Sequence, residues 1–316
     1  MLLTTDTRRT NKNSVCEEYL WTWIEAFLID RKANGLAEGS LYFYRTKLQK
    51  FADYCEAQSL SQISQVSPTF IRQFLLYLEE TGHNPGGRHA IYRAIRAFFL
   101  WYQDEADPKE WSNPIRKVKG PRVPSEPIEP VSIEDVTKMV NACEKGTFTG
   151  DRDIAIMLCL LDTGARANEL LDINLDDIDQ ARGEILIRRG KGSKPRTVYI
   201  GKQSRRALRK YLSQRRDNCP ALWVTHPRFD SDRIKYDGLR EILHRRSLEA
   251  KIEGPTAHDF RRAFALSMLR NGTDVFTLAK LMGHSGITVL QLYLKQTNQD
   301  TEIAHRRAGP VDNSGL

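Results

Sequence analysis

The chain has 316 residues, 48 of them Lys or Arg and 40 Asp or Glu, for a formal net charge of +8. At ~100 to 200 residues per domain this length suggests two domains. With 40% hydrophobic and 28% charged residues and a mean hydropathy of −0.51, the composition excludes extensive disorder, and no apolar run approaches the ~20 residues that span a bilayer.

From Met1 to Asn13 the chain is polar and carries no signal-peptide pattern, so a cytoplasmic location without a membrane partner is expected. Between Trp21 and Tyr102 apolar residues recur at helical spacing. Trp23, Ile24, Phe27 and Leu28 mark a first helix; Leu41, Tyr44, Leu48, Phe51 and Cys55 a second. Phe70, Ile71, Phe74, Leu75 and Leu78 mark a third, and Ile91, Ile95, Phe98, Phe99 and Tyr102 a fourth. Ser40 is the expected N-cap of the second, and Gly35, Gly82, Gly86 and Gly87 are expected at the joins. Residues 15–105 therefore read as a small all-α domain.

Pro121, Pro124, Pro127 and Pro130 recur at the period of a polyproline II helix, so residues 106–130 read as an extended linker. A second domain follows, from 131 to 300. Ser132 and Asp135 suggest a capping box for a helix reaching about Cys143, followed by an apolar helix from Asp153 to Leu161 that stops at Thr163-Gly164. A short helix is expected from Ala165 to Leu171. Glu184 to Arg188 and Arg196 to Ile200 read as two strands of a hairpin whose turn is rich in glycine and cations. Helices are expected again over Ser204 to Gln214, Asp237 to Lys251, Ala257 to Arg270, Asp274 to Met282 and Thr288 to Gln296, with Gly272 and Gly283 at helix ends. The five cysteines (Cys16, Cys55, Cys143, Cys159, Cys219) are odd in number and lack a C-x-x-C pair, so neither a disulfide framework nor a zinc site is indicated.

The positive charge is concentrated. From Ala181 to Arg216 thirteen basic residues face one acidic residue, Glu184, so this stretch alone carries +12. Either a nucleic acid backbone or bulk solvent would relieve that repulsion, and charge alone does not choose between them. Three further features could carry chemistry. Arg166 starts a short helix directly after a buried one, although an ion pair with Glu169 would equally explain it; His258 and Arg261 share a helix face; Tyr293 follows Gly283-His284 by nine residues, on a Leu-rich helix where a core aromatic is the default.

In combination these features are specific. The order T-G-x-R-x-x-E-L from Thr163, G-K-G-x-K from Gly190, H-x-x-R from His258, then G-H with Tyr293 nine residues on, resembles the tyrosine recombinase (phage integrase) family, in layout its compact two-domain Xer-like members. The resemblance implies a mainly α protein with a small β-sheet. An N-terminal all-α, SAM-like core-binding domain would precede a C-terminal mixed α+β catalytic domain of the DNA breaking-rejoining type, with 301–316 a tail reaching a neighbouring protomer. It implies Arg166, Lys191, His258, Arg261 and His284 as catalytic residues and Tyr293 as nucleophile, with Arg188, Arg189, Lys194 and Arg196 as further DNA contacts. Double-stranded DNA carrying a specific recombination site would be the partner, with a tetramer forming on it and an accessory or partner recombinase as a further possible component. No cofactor and no metal are implied. Phe260 stands where the family usually has Leu, and Arg262 where it often has His, both beside catalytic positions rather than on them. A type IB topoisomerase and a catalytically silent DNA-binding regulator are the alternatives; the short tail after Tyr293 disfavours the first and the intact residue set the second.

Overall fold

The computed structural model describes residues 19–124, 130–188, 195–227 and 230–283, with positions 302, 305, 306, 309 and 311 beyond them. It is mainly helical with one three-stranded sheet, and the chain divides into two compact units, Met1–Glu126 and Pro127–Leu316.

In the first unit the helical periodicity becomes four helices: α1 (Leu20–Ala33), α2 (Glu38–Ala57), α3 (Pro68–Glu80) and α4 (Pro85–Ala106). Their apolar stripes meet in a core where Ile24, Phe27, Phe51, Phe74, Phe98 and Phe99 are completely buried. The rings meet edge to face, as Phe27 does with Phe98 at 5.9 Å and Phe51 with Phe74 at 5.2 Å, a geometry the ring quadrupole favours. The starts of α3 and α4 follow one device, a capping side chain followed by proline. Ser67 accepts from the Phe70 N–H (3.1 Å) and Asn84 from the Gly87 N–H (2.7 Å).

Two local expectations change. Ala37 rather than Ser40 precedes α2, because Ser40 N–H and Leu41 N–H already bond to the Ala37 carbonyl. Gly86 and Gly87 lie in the first turn of α4 instead of before it. Within the stretch expected as a linker, Pro114–Lys117 forms a 3-10 turn fixed to the helices. Asn113 donates to the Phe99 carbonyl (2.9 Å), Tyr92 Oη donates to the Val118 carbonyl (2.8 Å) and Arg72 to that of Lys117 (2.7 Å). These bonds leave Ile115 and Val118 buried.

The second unit starts with α5 (Ile133–Ala142), whose cap Ser132 accepts from the Asp135 N–H. Then comes α6 (Phe148–Thr163), the element around which the unit is built, with α8 and α10 packed against it. α6 starts five residues earlier than expected. The run Asp151-Arg152-Asp153 reads as a polar boundary, yet all three residues are buried. Asp153 is held by three arginines: Arg152 (2.9 Å), Arg245 (3.0 Å) and Arg246 (2.7 Å). Those partners lie on an element far along the chain or next door, so no local pattern announces them.

The short α7 (Ala167–Leu171) leads through a 3-10 turn to the sheet β1 (Ile178–Asp179), β2 (Glu184–Ile187) and β3 (Arg196–Tyr199), antiparallel in the order β1-β2-β3. β1 was not expected; two residues are too few to show alternation. Ile185 opposite Val198 turns the inner face to the core, while Leu186 and Tyr199 face outward. α8 (Lys202–Leu212), α9 (Tyr236–Ala250), α10 (Ala257–Arg270) and α11 (Val275–Met282) complete the described unit. The expected helix Thr288 to Gln296 lies outside the described residues. Trp223, fully buried, donates its Nε1–H to the Leu170 carbonyl (2.9 Å) and stacks on Tyr211, fastening α7 to the core. Among the described residues no helix is long and apolar enough to cross a membrane, and Cys55, Cys143, Cys159 and Cys219 carry free thiols.

Candidate active site

The site grows from the end of α6. Gly164 caps that helix in the left-handed region (φ +57°), and a Cβ there would lie 2.2 Å from the Phe264 ring, so glycine serves both the turn and the close approach of α10. The Gly164 carbonyl accepts from Arg261 Nη1 (2.6 Å), and Arg261 Nη2 donates to the Met282 carbonyl (2.8 Å). Arg261 is thus buried between the end of α6 and the end of α11.

Two residues beyond Gly164, Arg166 is the N-cap of α7. Buried Glu169, three residues on, accepts from the Arg166 N–H (2.9 Å) and from its Nη1 (2.8 Å). The ion pair weighed as an alternative for Arg166 is therefore present, and it leaves a side chain 39% exposed whose Nε and Nη2 make no hydrogen bond among the described residues. The ion pair orients the arginine without using up its donors. Glu169 also receives Nη1 (3.2 Å) and Nη2 (2.7 Å) of Arg196. Burial raises the Glu169 pKa, but the hydrogen bonds from Arg196 and from Arg166, with the Arg196 charge, outweigh it and hold the carboxyl below the usual range.

His258 and Arg261 lie one turn apart on α10, whose start is fixed by the Thr256 N–H donating to Asp259 (2.8 Å). His258 reaches solvent at the surface of α10. Its pKa is lowered, first by partial desolvation, then by the charges of Arg262, Arg261 and Arg166, with Asp259 opposing. Both effects favour the neutral imidazole, the form able to accept a proton. Phe260 is fully buried, which explains why an apolar residue of another shape serves there, and Arg262 pairs with Asp259 (3.0 Å).

Arg166, His258 and Arg261 are thereby gathered around Gly164. Lys191, His284, Tyr293, Arg189 and Lys194 lie outside the described residues. Arg188 pairs with Asp177, and Arg196 lies inward, its side chain 9% exposed. The +12 stretch is thus partly neutralised inside the unit, through Arg188–Asp177, Arg196–Glu169 and Arg215–Asp217. Lys202, Arg206, Arg209 and Lys210 remain exposed on α8, without an ion pair among the described residues. Reasoning from sequence missed Asp162, which accepts from Gly201 N–H (2.5 Å) and Ser204 Oγ (2.7 Å) and so ties the start of α8 to the end of α6; nothing in the local pattern marks it.

A family model described as the phage integrase family matches residues 131–300. The chain belongs to the phage integrase family. Tyrosine recombinase XerA of Thermococcus kodakarensis is 31% identical over 242 residues, covering 76% of this chain and 81% of that one. Tyrosine recombinase XerD of Listeria monocytogenes is 26% identical over 309 residues, covering 94% of this chain and 99% of that one. Among solved structures, the XerH site-specific recombinase bound to palindromic difH substrate superposes with a TM-score of 0.68 at 18% identity, over 90% of this chain and 83% of that one, a likeness of fold. This phage integrase family member therefore combines the family's two-unit, mainly helical layout with the arginine and histidine cluster around Gly164.

Proposed function

We propose that this chain is a site-specific DNA recombinase that cleaves and rejoins duplex DNA through a 3′-phosphotyrosyl intermediate, in the integration or excision of a mobile element or in dimer resolution. The observation that carries this is the convergence of Arg166, His258 and Arg261 around Gly164 in a member of the phage integrase family. The phenol oxygen of Tyr293 attacks the scissile phosphorus, an O–P bond to tyrosine forms, and the bond from phosphorus to the 5′ oxygen breaks. The phenol, with a free pKa near ~10, gives its proton to neutral His258, and Lys191 protonates the departing 5′ oxygen. Negative charge grows on the non-bridging oxygens of five-coordinate phosphorus, where the Arg166 and Arg261 guanidinium groups stabilise it more than in the ground state. His284 orients the phosphate. One phosphoester replaces another, so the step balances with the chain's own groups and needs no metal or nucleotide cofactor.

The partner is double-stranded DNA carrying the recombination site. Two protomers on each site and four in the synapse would complete strand exchange, with the 301–316 segment reaching a neighbour. Tyr293→Phe tests the reading. The probe is a nicked duplex recovered from a random-sequence library by covalent capture on the wild-type chain. The variant should form no covalent adduct on it while binding it within about twofold of wild type, and adducts that persist in the variant overturn the assignment of the nucleophile.

A further inference from the structure

We propose that Arg196 is a positioning residue for strand cleavage and not a contact to the DNA backbone; this rests on the recombinase reading above. Arg196 opens β3, at the base of the hairpin whose turn contains Lys191. Its guanidinium faces inward and makes three hydrogen bonds. Nε donates to the Leu281 carbonyl (2.9 Å), and Nη1 and Nη2 form a two-point fork on the Glu169 carboxylate. That carboxylate holds the backbone and side chain of Arg166. Leu281 adjoins Met282, whose carbonyl receives Arg261, and His284 follows two residues later. One buried side chain thus joins three segments, each bearing or adjoining a different group of the proposed reaction.

The backbone is shaped around this side chain. Gly283 has φ +66°, a conformation that favours glycine, and a Cβ there would lie 2.8 Å from Arg196 Nη1 and crowd the guanidinium out of this position. Reaching outward to a phosphate would strip Glu169 of its fork and leave a buried carboxylate with one partner, which costs more than an exposed phosphate contact returns. Lysine cannot replace the arrangement, because a single ammonium does not span both carboxylate oxygens and the Leu281 carbonyl.

The test uses the full chain and the captured nicked duplex. In Arg196→Met, affinity and the slope of log K against log salt should match wild type, whereas loss of a phosphate contact would reduce the slope by about 1. The single-turnover cleavage rate at saturating DNA should fall by about 100-fold or more in Arg196→Met and in Arg196→Lys, the loss expected from small misplacement of a catalytic group. A purely structural defect would leave the pH profile in place. In Arg196→Met a second ionisation should join that of His258 on the acid limb and steepen it, because Glu169 loses the partner that most favours its charged form. The groups that then face Glu169 are Arg166 and, around the cavity of about 280 Å³ beside it, Asp172, Asp177, Arg188 and Arg233. If Arg196→Met does not fold, Arg196→Lys carries the test through the saturated rate: a phosphate contact survives exchange for another cation and keeps the rate, whereas the fork on Glu169 does not survive it. A salt slope reduced by about 1 in Arg196→Met overturns the proposal, as does a saturated rate near that of wild type in either variant or an acid limb of unchanged steepness in Arg196→Met. Absence of cleavage by the wild-type chain would instead overturn the recombinase reading.

Discussion

The two units are stabilised by different physics. In the first, Asn113 is the one non-aromatic polar side chain buried among the described residues, and the core is a cluster of aliphatic and edge-to-face aromatic side chains. In the second, Asp151, Arg152, Asp153, Glu169, Arg246 and Arg261 are all buried. Apolar burial is non-directional and tolerates exchange of similar side chains, whereas a buried charge stabilises only while its partners stay in place. The unit carrying the candidate site thus accepts a demanding interior, and in return the guanidinium groups of Arg196 and Arg261 are held by fixed hydrogen bonds to Glu169 and to backbone carbonyls.

The sharpest way to break this contrast is Asp153→Ala. Three arginines converge on this fully buried carboxylate, two of them with side chains 6% and 9% exposed. Removal leaves those guanidinium groups uncompensated, and the expected loss is about 3 to 5 kcal/mol in urea unfolding of the second unit. A loss under about 1 kcal/mol would show that the arginines find solvent or other partners and that the buried charges are incidental.

The same contrast explains what was legible in the sequence. In the first unit, period alone locates the helices, because each buried residue needs nothing but apolar company on one face. In the second, the start of the helix containing Asp153 reads five residues too late from local sequence, since its buried acid is neutralised from residues 245 and 246. The motif residues Arg166, His258 and Arg261 are readable because chemistry fixes their types and spacing. The inward turn of Arg196 is not, because an arginine that binds Glu169 and one that binds DNA are the same letter in the same basic stretch. Glu169 was signalled by its place in T-G-x-R-x-x-E-L and its spacing of three from Arg166, but not its second partner, Arg196.

In the first unit the matching experiment is Ile95→Val. Ile95 is completely buried on α4, and loss of one methylene should cost about 0.5 to 1.5 kcal/mol with no dependence on pH or salt. A salt-dependent loss would mean that this core, too, leans on charge, and the distinction between the units would fail.

The smallest effect is the most specific to the site. Arg262 pairs with Asp259 on the same helix and is the largest of the charges that depress the His258 pKa, after desolvation. Arg262→Gln should change stability little, because the pair is three residues apart on a partly exposed helix face, where such pairs contribute about 0.2 to 0.5 kcal/mol. It should nevertheless raise the His258 pKa. On the proposed mechanism cleavage uses the neutral imidazole, so the acid limb of the cleavage profile should move to higher pH while the plateau rate above neutral pH stays near that of wild type. The sign is diagnostic: if His258 acted as a proton donor in its charged form, the same substitution would extend activity toward higher pH instead. A limb that does not move would place the base elsewhere and leave the Arg166–Arg261 pair as the part of the site for which the second unit's buried charges are needed.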